Sequence, residues 1–211
     1  MVDQTKRSIL IATNAITCLV WLRVVLVYAF EGWGALSSSD ACDETLRPAL
    51  FVALAVSALV ELGTSATGLT RSSLVQVLLF ASVRTGTELW VTTLIGCGAW
   101  QHLFTALCWS SGEVVRFGCF AMDQISGDSS SNYSNLAKSV RYSVGPILFP
   151  LGAGGEMLMV IRAAYTNDRP LLYFAAALWP LGFYPLYKQL LKQRRKHFAS
   201  KTKKEKVIKS I

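Results

Sequence analysis

The chain has 211 residues, 52% hydrophobic and 16% charged, with the apolar residues gathered in long blocks. That excludes most soluble domains and indicates one polytopic membrane domain. The net charge of +8 belongs to the C-terminal end, since residues 188–211 hold ten Lys/Arg and one acid, Glu205, leaving the remainder close to neutral. Basicity confined to a tail after an apolar block marks the cytosolic side and anionic lipid rather than nucleic acid.

The first predicted span is Ile9–Phe30, preceded by Lys6 and Arg7 and followed by a polar, net acidic segment, Glu31–Arg47. Basic before and acidic after puts the N-terminus in the cytosol. This block lacks a clear small-residue cleavage site, so it reads as a retained span rather than a removed leader. A second span runs from about Pro48 to Leu69 and contains Glu61; Arg71 marks the return to the cytosolic side. The third, Leu74–Ile95, carries Arg84 and Glu88 at i,i+4 spacing, where helical neighbours pair. A turn at Gly96–Gln101 leads to the fourth, His102–Met122, with Glu113 and Arg116 three residues apart. Asp123–Ser139 is rich in Ser, Asn, Asp and Gly and reads as an exposed cytosolic loop. The fifth span, Arg141–Ala163, holds Pro146, Pro150 and a Gly152-x-Gly154-Gly155 run before Glu156. After a Thr166–Pro170 turn, the sixth, Leu171–Leu191, is interrupted by Pro180 and Pro185.

The predicted fold is therefore all-α: a six-transmembrane-helix bundle over residues 1–191, with both termini cytosolic and a basic tail over 192–211. Eight charged residues (Glu61, Arg84, Glu88, Glu113, Arg116, Arg141, Glu156 and Arg162) lie in or beside apolar blocks. That is too many to face lipid and implies a polar interior or a water-accessible cavity. A carboxylate at bilayer depth is expensive, by roughly 2.5–3.5 kcal/mol on insertion scales, which makes Glu156 the first functional candidate. The five cysteines form no C-x-x-C pair, and with two histidines in the chain no metal site is expected. Cys42 and Cys97 both fall on the lumenal side in this topology, which leaves a disulfide open to them; the others read as packing residues.

Two motifs carry a resemblance. Trp109-Ser110-x-x-Glu113-x-x-Arg116-Phe117 and Arg141-Tyr142 through Phe149-Pro150-x-Gly152-x-x-x-Glu156 resemble signatures of the membrane 3-hydroxyacyl-CoA dehydratases, once called tyrosine-phosphatase-like proteins. Leu59-x-Glu61, Gly68, Arg84, Asn14, Trp21, Leu186-Tyr187 and Gln193-Arg194 keep the family's spacing. The phosphatase part of the old name finds no support, since no cysteine is followed by arginine six positions later. The resemblance implies a multi-pass enzyme of the endoplasmic-reticulum membrane. It would remove water from very-long-chain (3R)-3-hydroxyacyl-CoA to give trans-2-enoyl-CoA, the third step of fatty-acid elongation. Its implied partners are the long-chain acyl-CoA substrate, membrane lipids and other elongation-cycle enzymes, with no cofactor and no nucleic acid. The family's catalytic pair is a tyrosine and a glutamate; here the glutamate is Glu156 and the tyrosine position is Phe149. Thr64 stands where the family commonly has a histidine.

Dehydration removes a proton from the carbon beside the thioester carbonyl and supplies one to the departing hydroxyl. Positions 149 and 156 are seven apart, so they share a helical face with backbones about 10.5 Å apart. Phe149 keeps the ring without the hydroxyl. Tyr142 lies on the same stripe but about 21 Å from Glu156 along a straight helix; Tyr173, Tyr184 and Tyr187 on the sixth span are alternatives. Arg116, Arg141, Glu113 and Tyr142 are assigned to substrate binding, the two arginines to the CoA phosphates. Each arginine has a structural alternative: Arg116 pairs with Glu113, and Arg141 snorkels to headgroups. Trp109 reads as a packing or belt residue. Three readings follow: a working dehydratase, an impaired relative that binds acyl-CoA or scaffolds elongation enzymes, and a transporter or structural membrane protein using its charges for packing.

Overall fold

The computed structural model describes residues 2–35, 42–70, 73–126 and 132–208, all of it helix and connecting turns, with no strand among them. Helix α1 is Val2–Ala35. A π-helical turn, Cys42–Leu46, leads into α2, Arg47–Ala66, with Pro48 in its first turn where no N–H is needed. Helix α3 spans Leu74–Ile95, with a π-helical segment at Thr87–Val91 between its α-helical parts. Helix α4 is Trp100–Ser126, α5 is Asn132–Thr166 and α6 is Pro170–Ile208. Gly68 (φ +67°) and Gly96 (φ +82°) sit in the left-handed region that ends α2 and α3, and both stop signals are glycine for that reason.

Among the described residues, four helices are long and apolar enough to cross a membrane: Gln4–Gly32, Glu44–Ala66, Leu74–Ile95 and Tyr133–Thr166. The chain is thus a helical multi-pass membrane protein. Leucines 19 and 59, Phe30, Val75 and Leu181 lie exposed on its outer face, where lipid is the natural contact.

Helix α4 is the central post, packed between α1 and α5, while α2 joins α1 to α3 and α6 leans on α5. One core cluster joins α1, α2 and α4 through Trp21, Tyr28, Leu50, Ala53 and Trp109. Another joins α3, α5 and α6 through Val91, Met159, Ala163 and Leu172. Arg7 donates to the carbonyls of Gln124 (2.7 Å) and Ile125 (2.8 Å), tying the start of α1 to the last turn of α4. At the opposite end a disulfide joins Cys42 to Cys97.

Three expectations are corrected. The supposed loop Asp123–Ser139 is helical over 123–126 and 132–139, while 127–131 lie outside the described residues, as do Arg71 and the middle of the acidic segment, 36–41. Lys138 reaches Asp123 at 3.0 Å and Ser134 also donates to Asp123, so the polar residues join two helix ends. Pro180 and Pro185 do not interrupt α6, which also runs on past residue 191. A bundle supplies substitute partners for the carbonyls that proline frees. One such substitution is visible on α5: Pro150 offers no N–H to the carbonyl of Pro146, and the Tyr187 hydroxyl donates to that oxygen at 3.4 Å. Finally, Arg84 and Glu88 do not pair with each other; both turn to α4, Arg84 to Glu113 and Glu88 to His102.

Candidate active site

Helices α2 to α6 enclose a cavity of about 760 Å³. Its long wall is the face of α5 from Arg141 to Glu156, about 22 Å of helix. Glu156 is buried, and the Trp109 indole N–H donates to its Oε1 at 2.6 Å. Small residues make that approach possible. A Cβ on Gly155 would collide with Thr105, and one on Gly152 would meet the Trp109 ring at 3.2 Å. Gly152 and Gly155 are therefore the seam that lets α5 press Glu156 onto α4, while Gly154 faces open space.

Beside Glu156 lies a chain of ion pairs. Glu113 accepts from Arg84 Nη1 at 2.5 Å through one oxygen and from Arg116 at 2.6 Å through the other, and Arg116 also bonds Glu61. Two acids and two cations thus neutralise one another at the cavity wall, the arrangement that makes buried charge tolerable. The Arg84 guanidinium lies 5.6 Å from the centroid of the Trp109 ring. Glu113 is fully engaged within this network. Arg116 is held there too, although a third of its side chain remains exposed.

Arg141 lines the far end of the cavity and packs its guanidinium over the Phe120 ring at 4.2 Å. Tyr142 stands outside the cavity wall, its ring 5.1 Å from that of His197. Phe149 is on the wall, stacked on Phe183 at 5.1 Å and lying nearly parallel to Tyr187 at 6.4 Å. Of the tyrosines on α6, Tyr187 thus approaches position 149, with its hydroxyl directed to the Pro146 carbonyl; Tyr173 and Tyr184 are exposed. Thr64 bonds the carbonyl of Val60 within its own helix.

The sequence reading missed two features. Trp109 is the direct partner of the buried carboxylate, a role the spacing of the Trp-Ser motif to Glu113 signals only as a shared helical face. The other is a second polar cluster near the disulfide, where Glu88 contacts His102 Nε2 at 2.9 Å, Arg47 at 3.5 Å and Thr92 at 3.3 Å. Cys42, Cys97 and His102 bring three potential metal donors within 4.8 Å of one another. The sulfurs are joined to each other, and both His102 nitrogens are engaged, Nδ1 by the Cys97 carbonyl at 2.8 Å. Those donors are already committed.

Residues 55–200 match the family described as "Protein tyrosine phosphatase-like protein, PTPLA". The chain belongs to this family. A curated relative from Schizosaccharomyces pombe (strain 972 / ATCC 24843), named "Probable very-long-chain (3R)-3-hydroxyacyl-CoA dehydratase", is 30% identical over 101 residues. That alignment covers 45% of this PTPLA chain and 46% of the relative, so it spans just under half of each. No solved structure matches the chain. The stretch matched to the PTPLA family contains the ionic chain, Trp109, Phe149 and Glu156.

Proposed function

We propose that this PTPLA-family protein is a 3-hydroxyacyl-CoA dehydratase. It acts on long and very-long-chain (3R)-3-hydroxyacyl-CoA and releases trans-2-enoyl-CoA in the third step of fatty-acid elongation. The observation that carries the reading is Glu156, a buried carboxylate on the wall of a largely apolar cavity, held by a neutral indole N–H rather than by a salt bridge. A carboxylate tied up by a cation is a poor base, and one with a single neutral donor keeps an oxygen for substrate.

Because Phe149 brings no hydroxyl, Glu156 handles both protons. It takes the proton from the carbon beside the thioester carbonyl, and the C–H electron pair moves into that carbon's bonds. The C3–O bond then breaks with its electron pair, and Glu156 returns the same proton to the departing oxygen. Water leaves, the double bond lies between C2 and C3, and the carboxylate is regenerated. No cofactor enters this balance.

Arg141 at the opposite end of the cavity is suited to the CoA phosphates, which guanidinium groups bind well; Arg116, already doubly paired, adds positive field rather than a free contact. Six membrane crossings with cytosolic termini bring that end to the cytosol, where CoA is dissolved. The endoplasmic-reticulum membrane, with other elongation enzymes as neighbours, is the corresponding location.

The test is turnover of purified full-length protein with 3-hydroxypalmitoyl-CoA. Enoyl-CoA should form, and Glu156→Ala should abolish it. Equal product from the Ala variant would overturn the assignment. The Phe149–Phe183–Tyr187 stack favours a second reading, that of an impaired relative which binds acyl-CoA and supports elongation enzymes. Phe149→Tyr separates the two. In a working enzyme it should raise turnover, at most by the roughly 10²–10⁴-fold that an acid–base group contributes. Acyl-CoA binding without turnover in either form is the outcome for the impaired relative.

A further inference from the structure

Proton abstraction beside a thioester needs more than a base. Negative charge develops on the carbonyl oxygen as the C–H bond breaks, and a fixed donor aimed at that oxygen lowers the barrier more than any other single device. With Phe149 in place of a phenol, position 149 offers no such donor. Trp109 is committed to Glu156, Glu113 is an acceptor, and the Tyr187 hydroxyl faces a backbone carbonyl.

Arg84 remains. The Arg84 side chain lines the same cavity as Glu156. Its guanidinium lies 5.6 Å from the ring centroid of the tryptophan that holds Glu156, so one indole meets the guanidinium on its face and the carboxylate at its N–H edge. Its bond to Glu113 engages Nη1, and about a fifth of its side chain is exposed. Glu113 is itself pinned by Arg116, and Arg116 by Glu61. The ion-pair chain therefore fixes the guanidinium in place before substrate arrives, so no reorganisation is needed during reaction.

We propose that Arg84 is a catalytic residue of this site, donating an N–H to the thioester carbonyl oxygen while Glu156 removes the adjacent proton. As the C–H bond breaks, charge moves onto that oxygen against the guanidinium. It returns as the C3–O bond breaks and Glu156 protonates the leaving oxygen. Arg84 gains and loses no proton in the cycle.

The role of Arg84 rests on the dehydratase reading, and steady-state kinetics of the full chain with 3-hydroxypalmitoyl-CoA separates the two. Arg84→Ala should lower kcat by about 10²–10³-fold, the loss typical of one oxyanion donor, with KM changed less than about threefold. Millimolar guanidinium chloride should restore part of the Arg84→Ala rate and none of the Glu156→Ala rate. Arg84→Lys, which retains a cation for Glu113, serves if the Ala variant does not fold, and it should still lose at least tenfold in kcat for want of the planar donor fork. Glu156-dependent turnover that is unchanged in both Arg84 variants, or reduced through KM alone, overturns this inference and leaves the dehydratase reading standing. No Glu156-dependent turnover in the unsubstituted chain overturns both.

Discussion

Two buried glutamates stand in contrasting parts of this molecule, one on an open cavity wall and one in a packed end of the bundle. Glu88 is 0% exposed and Glu156 7%, so burial does not separate them. Their partners do. Glu88 is met by His102, Arg47 and Thr92 beside a disulfide, within a packed end of the bundle. Glu156 has one neutral donor and opens on a 760 Å³ cavity. A carboxylate held by a guanidinium, an imidazole and a hydroxyl is a fastener, because removing it leaves buried polar groups without their partner. One balanced by an indole N–H beside empty volume retains the capacity to exchange a proton. An acid in a membrane helix is thus informative about function only once its neighbours are known.

Exchanging the character of the two sites sharpens that contrast. Glu156→Gln keeps the shape and removes the base, so kcat should fall by about 10²–10⁴-fold, read as enoyl-CoA formation, with the melting temperature nearly unchanged. Glu88→Ala should do the reverse: it strands His102 and Arg47, for a loss of about 3–5 kcal/mol in stability by thermal unfolding in detergent. The fraction that stays folded should turn over at close to the normal rate. If Glu88→Ala instead removes activity from well-folded protein, the contrast between the two glutamates is wrong. Cys97→Ser opens the link between residues 42 and 97, and a loss of about 2–4 kcal/mol is typical for such a bond; its melting temperature should drop while KM holds. Gly155→Ala is the smallest of the set, about 1–3 kcal/mol for a methyl forced into a filled contact. Because that contact sets the Trp109–Glu156 distance, its signature should be reduced kcat at modest cost in stability.

Helix positions were legible in the sequence, because apolar blocks of membrane-spanning length and glycine or proline at their ends are local signals. All six blocks became helices, displaced at their ends: α5 begins nine residues before the expected Arg141, since the polar run from Asn132 onward docks on Asp123 of α4 instead of looping out. Glu156 and Phe149 were also legible, as members of a spaced motif. Partnerships between helices were not. The i,i+4 rule places Arg84 near Glu88 on one helix, yet the carboxylate that Arg84 finds belongs to Glu113 on α4, and the π-helical segment at Thr87–Val91 begins between the two. Spacing along a chain says which residues share a face and nothing about what that face meets. For the same reason Trp109 read as packing, and Tyr142, on the right stripe of α5, turned out to lie against His197 outside the cavity.

The covalent link between Cys42 and Cys97 lies at one end of the bundle, and Arg116 and Arg141 lie toward the other. That other end is tied as well, α1 to α4 through Arg7 and α4 to α5 through Asp123, so the bundle is fastened on both sides of the cavity. The seam of Gly152 and Gly155 that keeps Glu156 on Trp109 thus lies between two fastened ends, where a helix has least freedom to drift.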